Sequence, residues 1–508
     1  MNAKLTKKAG VFLFCLMCSV LALLFASSSS SLYATNFWTD TNIYFTIGRG
    51  LKAGLMPYRD LFDHKGPLLF LLYGLAAIIS KTDFSGVFLL EVLSLASFLF
   101  IAFDLASRKR AGWFALAAPP LAAFLACHCR AFTQGGSAEE FCLPFLLLGI
   151  ASAERILSPM EEQEIETKSR NRVSGVLFGV SASFVFLIKY TDIGLFVGLG
   201  FFVMLYILRD QGWGMALRVL EWMLAGFFIP VLLVFGYYSL HGALWDCVRV
   251  YFLENLTDYS GAPMSLRAHL WNALAYLRTQ SESNPSLAFF TGIGILGAFV
   301  SHLKHGKRGA FFAALALPAG AGCLLLTCYW GEMAHPYYAL VFAATAISGV
   351  SVLLSLLGRI PWDRHACPVA LALSILMTFL LPVSLSRKPE LKTLRTVKPE
   401  EMPQRAFAEI MRENSPDGAF TLLDLTSLDQ GFYLASGVLP VTRYFADNNL
   451  DTEEKRTAIN SYLADSLCDY VVTVWREPGE NYEPVAEATG FFDLADKRTY
   501  RLWRRKTE

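Results

Sequence analysis

The sequence predicts an all-α polytopic membrane protein of about eleven transmembrane helices, followed by a small C-terminal α/β domain. Three observations carry this expectation. Of 508 residues, 54% are hydrophobic and only 17% charged, with a mean hydropathy of +0.41, more apolar side chain than a water-soluble surface can cover. Long apolar stretches recur throughout the first 385 residues. Lys and Arg collect in short segments between them, as they do on the cytoplasmic side of membrane proteins. The formal net charge of +1 leaves no basic excess that would point to nucleic acid.

The chain opens with Lys4, Lys7 and Lys8, an apolar run over 11–27, and a serine tract ending at Ser31. A signal peptide has similar parts, but run and serines together reach about 20 residues, enough for ~30 Å of hydrocarbon, so this reads as an uncleaved first span. Further apolar stretches lie near 67–80, 86–106, 112–128, 141–153, 174–188, 193–208, 219–239, 287–302, 309–328, 338–357 and 367–385. Basic clusters fall at Arg108, Lys109 and Arg110; at Arg155, Lys168, Arg170 and Arg172; at Arg209 and Arg218; at Lys304, Lys307 and Arg308; and at Arg359 and Arg364. They share the side of the N-terminus only if one stretch between Ser31 and Arg108 fails to cross. The short stretch 67–80, opened by Gly66-Pro67, is that one. Eleven spans remain. The N-terminus is then cytoplasmic, the protein sits in the plasma membrane, and the loops 33–85, 129–140, 240–286 and 329–337 share the outer face with 386–508. The weakest span is 141–153, which ends at Glu154 and Arg155.

From 386 the pattern becomes that of a soluble domain, with a helix over 403–413 and strands over 419–424, 470–475 and 499–504. It carries no Gly-rich nucleotide loop. The ten cysteines are scattered, and Cys15, Cys18, Cys127 and Cys129 read as helix-packing thiols rather than metal ligands. Asn255-Leu256-Thr257 matches a glycosylation sequon, a pattern that chance supplies readily.

The first outer loop concentrates chemistry. Thr39-Asp40-Thr41-Asn42-Ile43-Tyr44 leads through Gly48-Arg49-Gly50 to Asp63-His64-Lys65-Gly66-Pro67. An amphipathic pattern over 40–55 predicts a helix lying on the membrane surface, with Asp40 at its start. A second acidic group, Glu139-Glu140, enters the next outer end. Two adjacent carboxylates there are costly unless they meet water, a cation or substrate. Plain structural readings compete in each case: a helix cap for Asp40, an interfacial anchor for Lys65, snorkelling for the glutamates, and an aromatic belt for the stretch Glu332-Met333-Ala334-His335-Pro336-Tyr337-Tyr338.

Asp40 after the first span, and His64-Lys65-Gly66-Pro67-Leu68 opening an apolar segment, resemble the GT-C glycosyltransferases, in particular the branch of protein O-mannosyltransferases and lipid A aminoarabinose transferases. Two positions depart from that pattern: Thr41 stands where an acidic pair is common, and Gly66 stands where the first proline of a Lys-Pro-Pro-Leu element would be. The resemblance implies a GT-C-like catalytic body over 1–385 and transfer of a sugar from a polyprenyl-phosphate donor. The acceptor would be a hydroxyl of a lipid, wall polymer or protein at the outer face, and the anomeric configuration would invert. Asp40 would act as general base, joined by Glu139 or Glu140. Lys65, Arg49 and Arg130 would hold the donor phosphate, and Tyr44, Asp63, His64, Lys189, His335 and Tyr338 would touch substrate. No metal ligand is assigned and no cofactor is required, with a divalent cation left open. The domain 386–508 would modulate acceptor choice or stability. The alternative is a transporter or flippase of envelope precursors, which calls for ionisable residues inside the spans; Glu91 and Glu221 are the main ones here.

Overall fold

The computed structural model describes residues 2–158, 164–259, 264–304, 309–331, 335–362, 365–447, 450–492 and 496–506. Lys307, Arg308, Glu332 and Arg364 lie outside the described residues. The membrane body is built from α1 (Asn2–Ala26), α2 (Thr39–Lys52), α3 (Pro67–Ile79), α4 (Ser85–Arg108), α5 (Ala118–His128), α6 (Ala138–Leu157), α7 (Glu164–Ile188), α8 (Gly194–Asp210), α9 (Trp213–Leu240), α10 (Leu244–Val248), α11 (Leu266–Ser283), α12 (Pro285–Leu303), α13 (Ala310–Cys328), α14 (Phe342–Gly358) and α15 (Ala366–Leu385).

Among the described residues, nine helices are long and apolar enough to cross a membrane: α1, α4, α7, α8, α9, α12, α13, α14 and α15. The eleven-span reading needs two further segments, which are not among these nine. One is the continuous helical stretch Gly112–His128, and the other is α6, whose apolar middle is bracketed by Glu139 and Glu140 at one end and Glu154 and Arg155 at the other. Helix α3 has 13 residues. At 1.5 Å per residue it rises ~20 Å, short of the ~30 Å hydrocarbon layer. Arg108, Lys109, Arg110, Lys304 and Arg359 gather around one cavity, and Lys189 lines a different one.

Helix α2 differs from the expected surface helix. Every residue from Asp40 to Gly50 is buried. On one side Gly48 lies so close to α3 that a Cβ would come within 2.5 Å of the Tyr73 carbonyl. On the other side lies the C-terminal domain, made of α16 (Pro389–Leu394), α17 (Pro403–Glu413), β1 (Leu422–Leu425), α18 (Phe432–Ser436), α19 (Glu453–Ala464), β2 (Tyr470–Thr473), β3 (Tyr482–Phe491) and β4 (Lys497–Arg505). The sheet order is β1-β2-β4-β3, with β1 and β2 parallel and the rest antiparallel. Leu422, Val471, Val472, Tyr500 and Leu502 fill its core. The expected strands and the helix at 403–413 are present; β3 and α19 are additional. Strand β3 escapes sequence pattern because it carries Pro484 and Gly490 and is largely solvated.

Several cations hold the domain to the body, among them Arg49, Lys388, and Arg443, which donates to the Tyr58 carbonyl at 3.0 Å. Arg49 is turned away from any outer cavity: its guanidinium donates to the carbonyls of Tyr433 (3.0 Å), Gly437 (3.1 Å) and Val438 (3.3 Å). The phosphate role expected of Arg49 is therefore not supported. One turn earlier, the Thr46 hydroxyl donates to Asp429 at 2.6 Å. Lys388 caps the end of α5, donating to the carbonyls of Cys127 (2.7 Å), Cys129 (3.4 Å) and Phe132 (3.4 Å).

Replacing Arg49 by Met removes three charge-assisted bonds from a buried seam. The expected outcome is a loss of about 2–3 kcal/mol of stability, seen as a lower Tm, with faster proteolysis within 386–506. An unchanged Tm and cleavage pattern would show that the seam does not depend on this residue.

Candidate functional site

Three elements converge at the end of the bundle that carries α2: the N-terminus of α2, the loop before α3, and the turn between α7 and α8. The loop is shaped before it reaches Lys65. Tyr58, fully buried and at φ 71°, donates its hydroxyl to the Lys65 carbonyl at 2.6 Å. Asp63 accepts the Lys65 N–H at 3.0 Å, and the Asn255 amide donates to the His64 carbonyl at 2.8 Å. Asn255 is buried, so the folded sequon is closed to glycosylation.

Gly66 explains the departure from the Lys-Pro-Pro-Leu pattern. Its N–H donates to the Ile188 carbonyl at 3.2 Å, and a Cβ there would fall 2.2 Å from the Leu187 carbonyl oxygen. Proline would lose that bond and clash. The close approach lays the loop against the end of α7, so Lys65 and Lys189 line the same cavity of about 270 Å³. Ile188, Ile193, Tyr251, Leu256 and Tyr338 make most of its wall apolar.

Lys189 is paired, not free. Its ammonium lies 2.5 Å from a Glu139 carboxylate oxygen, 3.9 Å from Asp192 and 3.5 Å from the centre of the Tyr338 ring. Glu139 is thus bound to a lysine that lines the cavity. Glu140, one residue on and about 100° around the helix, turns inward: it accepts the Gly136 N–H at 2.9 Å, beside Glu91, which Ser27 engages at 2.9 Å. Of the two carboxylates, Glu139 is the one paired with a lysine of the cavity wall.

Asp40 faces the same region. One oxygen, Oδ2, accepts hydrogen bonds from the Tyr44 and Tyr337 hydroxyls, each at 3.2 Å. Among the described residues Oδ1 makes no hydrogen bond, so one edge of the carboxylate stays open. His335 stacks on Tyr337, ring centres 5.2 Å apart. Burial first, and then Lys65, hold the His335 imidazole below its ordinary value, while Asp40 and Glu139 act in the opposite direction. His64 is likewise held well below the usual range by burial and Lys65. Asp40, Lys65, Glu139 and Lys189 therefore all bear on one half-buried imidazole, that of His335. Arg130, exposed at the end of α5, shows no contact with this group.

Sequence pattern alone does not single out Tyr58 or Asp192, and it marks Asn255 only as a sequon. All three act on the backbone or on another side chain, which leaves no motif. Among the described residues, no group of three or more His, Cys, Asp or Glu side chains is arranged to hold a metal ion.

No known family matches the sequence, and no curated protein matches it. Among solved structures the chain is similar to ArnT from Cupriavidus metallidurans bound to undecaprenyl phosphate, with 13% identity, 99% of this chain and 98% of that one covered, and a TM-score of 0.62. The apo state of the same protein gives 12%, 96%, 97% and 0.62. An Archaeoglobus fulgidus oligosaccharyltransferase, in complex with zinc and sulfate, is a looser likeness at 16% identity, 91% and 68% coverage and a TM-score of 0.45. The likeness to ArnT runs the length of both chains and bears out the expected fold, a multi-pass helical body with a small mixed domain behind it.

Asp63 supplies a pH test. Its carboxyl is pushed up to about 7, first by burial, against the pull of Lys65 and its N–H. The folded chain therefore holds a proton that the unfolded chain releases near pH 4. The resulting stability is complete below pH 4 and is lost as pH rises through 7. Between pH 5 and 7 this amounts to a fall of up to ~1.4 kcal/mol per pH unit. Asp63→Asn keeps an oxygen for the Lys65 N–H, and its Tm should decline less over that interval than the parent's; parallel curves would exclude Asp63 as the titrating group.

Proposed function

We propose that this protein is a membrane glycosyltransferase that moves a sugar from a polyprenyl-phosphate donor to an acceptor hydroxyl at the outer face of the plasma membrane. The observation that carries the reading is the open Asp40 carboxylate near an apolar-walled cavity lined by Lys65 and by Lys189, which Glu139 pairs from behind the wall. A lipid phosphate needs an apolar path for its chain and a cation at its head, and the cavity has both. The fold shared with ArnT, in a structure bound to undecaprenyl phosphate, supports the same donor class.

The acceptor oxygen attacks the anomeric carbon and gives its proton to Asp40 Oδ1, while the bond from that carbon to the donor phosphate oxygen breaks. Tyr44 and Tyr337 hold the other Asp40 oxygen, which fixes the carboxylate plane. Negative charge grows on the departing lipid phosphate, and Lys65 is the cation placed to meet it. Lys189 is largely neutralised by Glu139 and Asp192, so its role is to hold Glu139 and the Tyr338 ring in position at the donor. A single displacement inverts the anomeric centre, through a transition state of oxocarbenium character.

A transport pathway would need ionisable groups along the body. Glu91, the buried example, is engaged by Ser27 at 2.9 and 3.0 Å, within a closed network.

The test uses the purified protein in proteoliposomes with an undecaprenyl-phosphate sugar, following release of undecaprenyl phosphate by mass spectrometry. Asp40→Asn should lower turnover about 10²- to 10⁴-fold with donor binding nearly unchanged. Asp40→Asn protein that inserts normally and turns over at the parental rate would remove Asp40 as the base. Glu139→Gln should cost far more activity than Glu140→Gln, because it strands the Lys189 charge beside the donor. The reverse order would place the reaction elsewhere.

A further inference from the structure

At the opposite end of the bundle from Asp40, a cavity of about 500 Å³ opens between α4, α6 and the ends of α12 and α14. Five cations line it: Arg108, Lys109, Arg110, Lys304 and Arg359. Glu154 is the one carboxylate among its described lining residues. Arg108 is engaged by Asp104, and Lys109 lies 3.0 Å from Glu154. Arg110, Lys304 and Arg359 form no ion pair among the described residues.

The tendency of cytoplasmic loops to collect Lys and Arg explains their presence but not their arrangement. Three segments far apart in sequence, at 108–110, 304 and 359, bring their cations to the rim of one cavity, where Arg110, Lys304 and Arg359 are solvent-accessible. Two features hold this arrangement against repulsion. Gly358 packs so tightly on the loop after α4 that a Cβ would lie 2.7 Å from the Ala111 carbonyl oxygen and 2.8 Å from that of Arg110, which sets Arg359 beside Arg110. Arg110 itself sits at φ 66°, a left-handed conformation that costs a non-glycine residue of order 1 kcal/mol. Like charges brought together on a strained backbone call for an anion between them.

We propose that this cavity binds the phosphodiester headgroup of an anionic phospholipid from the adjoining leaflet. Leu157, Leu199 and Leu356 line the same space, and Val300 and Leu356 are about half exposed on the membrane-facing surface (45% and 50%). A free phosphate ion has no use for that apolar wall, whereas the acyl chains of a lipid lie naturally along it. The proposal is independent of the transfer reaction, because the cavity is at the other end of the spans.

The test is thermal stability of the full chain in phosphatidylcholine nanodiscs, titrated with phosphatidylglycerol or, separately, with inorganic phosphate. Phosphatidylglycerol should raise Tm saturably at a few mole per cent, and phosphate should not. Removing a cation near a membrane surface weakens anionic-lipid binding about fivefold. Arg359→Gln, and Arg110→Gly, which relieves the strain as well, should each shift the half-saturating lipid fraction upward by about that factor, and the double variant by about 25-fold. Lys304→Gln leaves the tight Gly358 contact untouched and should show the single shift if the arginine variants fold poorly. Equal titration midpoints for parent and Lys304→Gln, or a phosphate response matching that of the lipid, would overturn the proposal.

Discussion

The ion pair between Glu139 and Lys189 is the contact on which the cavity-bearing end of the body depends. An isolated ammonium or carboxylate at this depth would cost several kcal/mol, so neither side chain is tolerable without the other. Each belongs to a different segment: Glu139 to the first turn of α6, Lys189 to the break between α7 and α8. Their pairing fixes the two segments relative to each other and gives the Tyr338 ring a cation to rest on. The loop bearing Lys65 is then placed by Gly66 against the same break. The cavity is what remains between these parts.

A second dependence runs through α2. Its first turn carries Asp40 and its last carries Arg49, nine residues or about 13 Å apart along one rigid rod. The Asp40 end faces the cavity and the Arg49 end is engaged by carbonyls of the C-terminal domain, with Thr46 between them bonded to Asp429. Burial, with Arg49 and Thr46 pulling the other way, pushes the Asp429 carboxyl up. The domain therefore bears on the proposed base through the helix they share.

The membrane body was legible because hydropathy and loop charge are properties of composition over ~20 residues, and the bilayer enforces them segment by segment. The short α3 was legible for the same reason, since its length is written in the sequence. Asp40, Lys65 and Glu139 could be marked because charge at a membrane border is scarce and needs a reason. What sequence could not supply was direction. Arg49 looked like a phosphate ligand by proximity to Asp40, yet nine residues of helix turn it toward a domain nearly 400 positions later. Glu139 and Glu140 are chemically identical until a helix phase and a lysine 50 residues away separate them. Gly66 looked like a defect in a motif, and only the backbone of α7 beside it shows why no side chain fits.

The seam between Arg49 and the C-terminal domain also has a history in time. Its partners are separated by 384 to 389 residues, which at ~5–20 residues per second is roughly 20 to 80 s of synthesis. During that interval α2 is already made and the body is entering the membrane, but the guanidinium has none of its final acceptors. Helix α2 can pack on α3 in that time, but its seam with the C-terminal domain cannot close until residues 433–438 emerge. A ribosome that stalls before residue 433 thus leaves a membrane-inserted body in which Arg49 lacks its acceptors, so that closure of this seam is timed by the synthesis of 433–438.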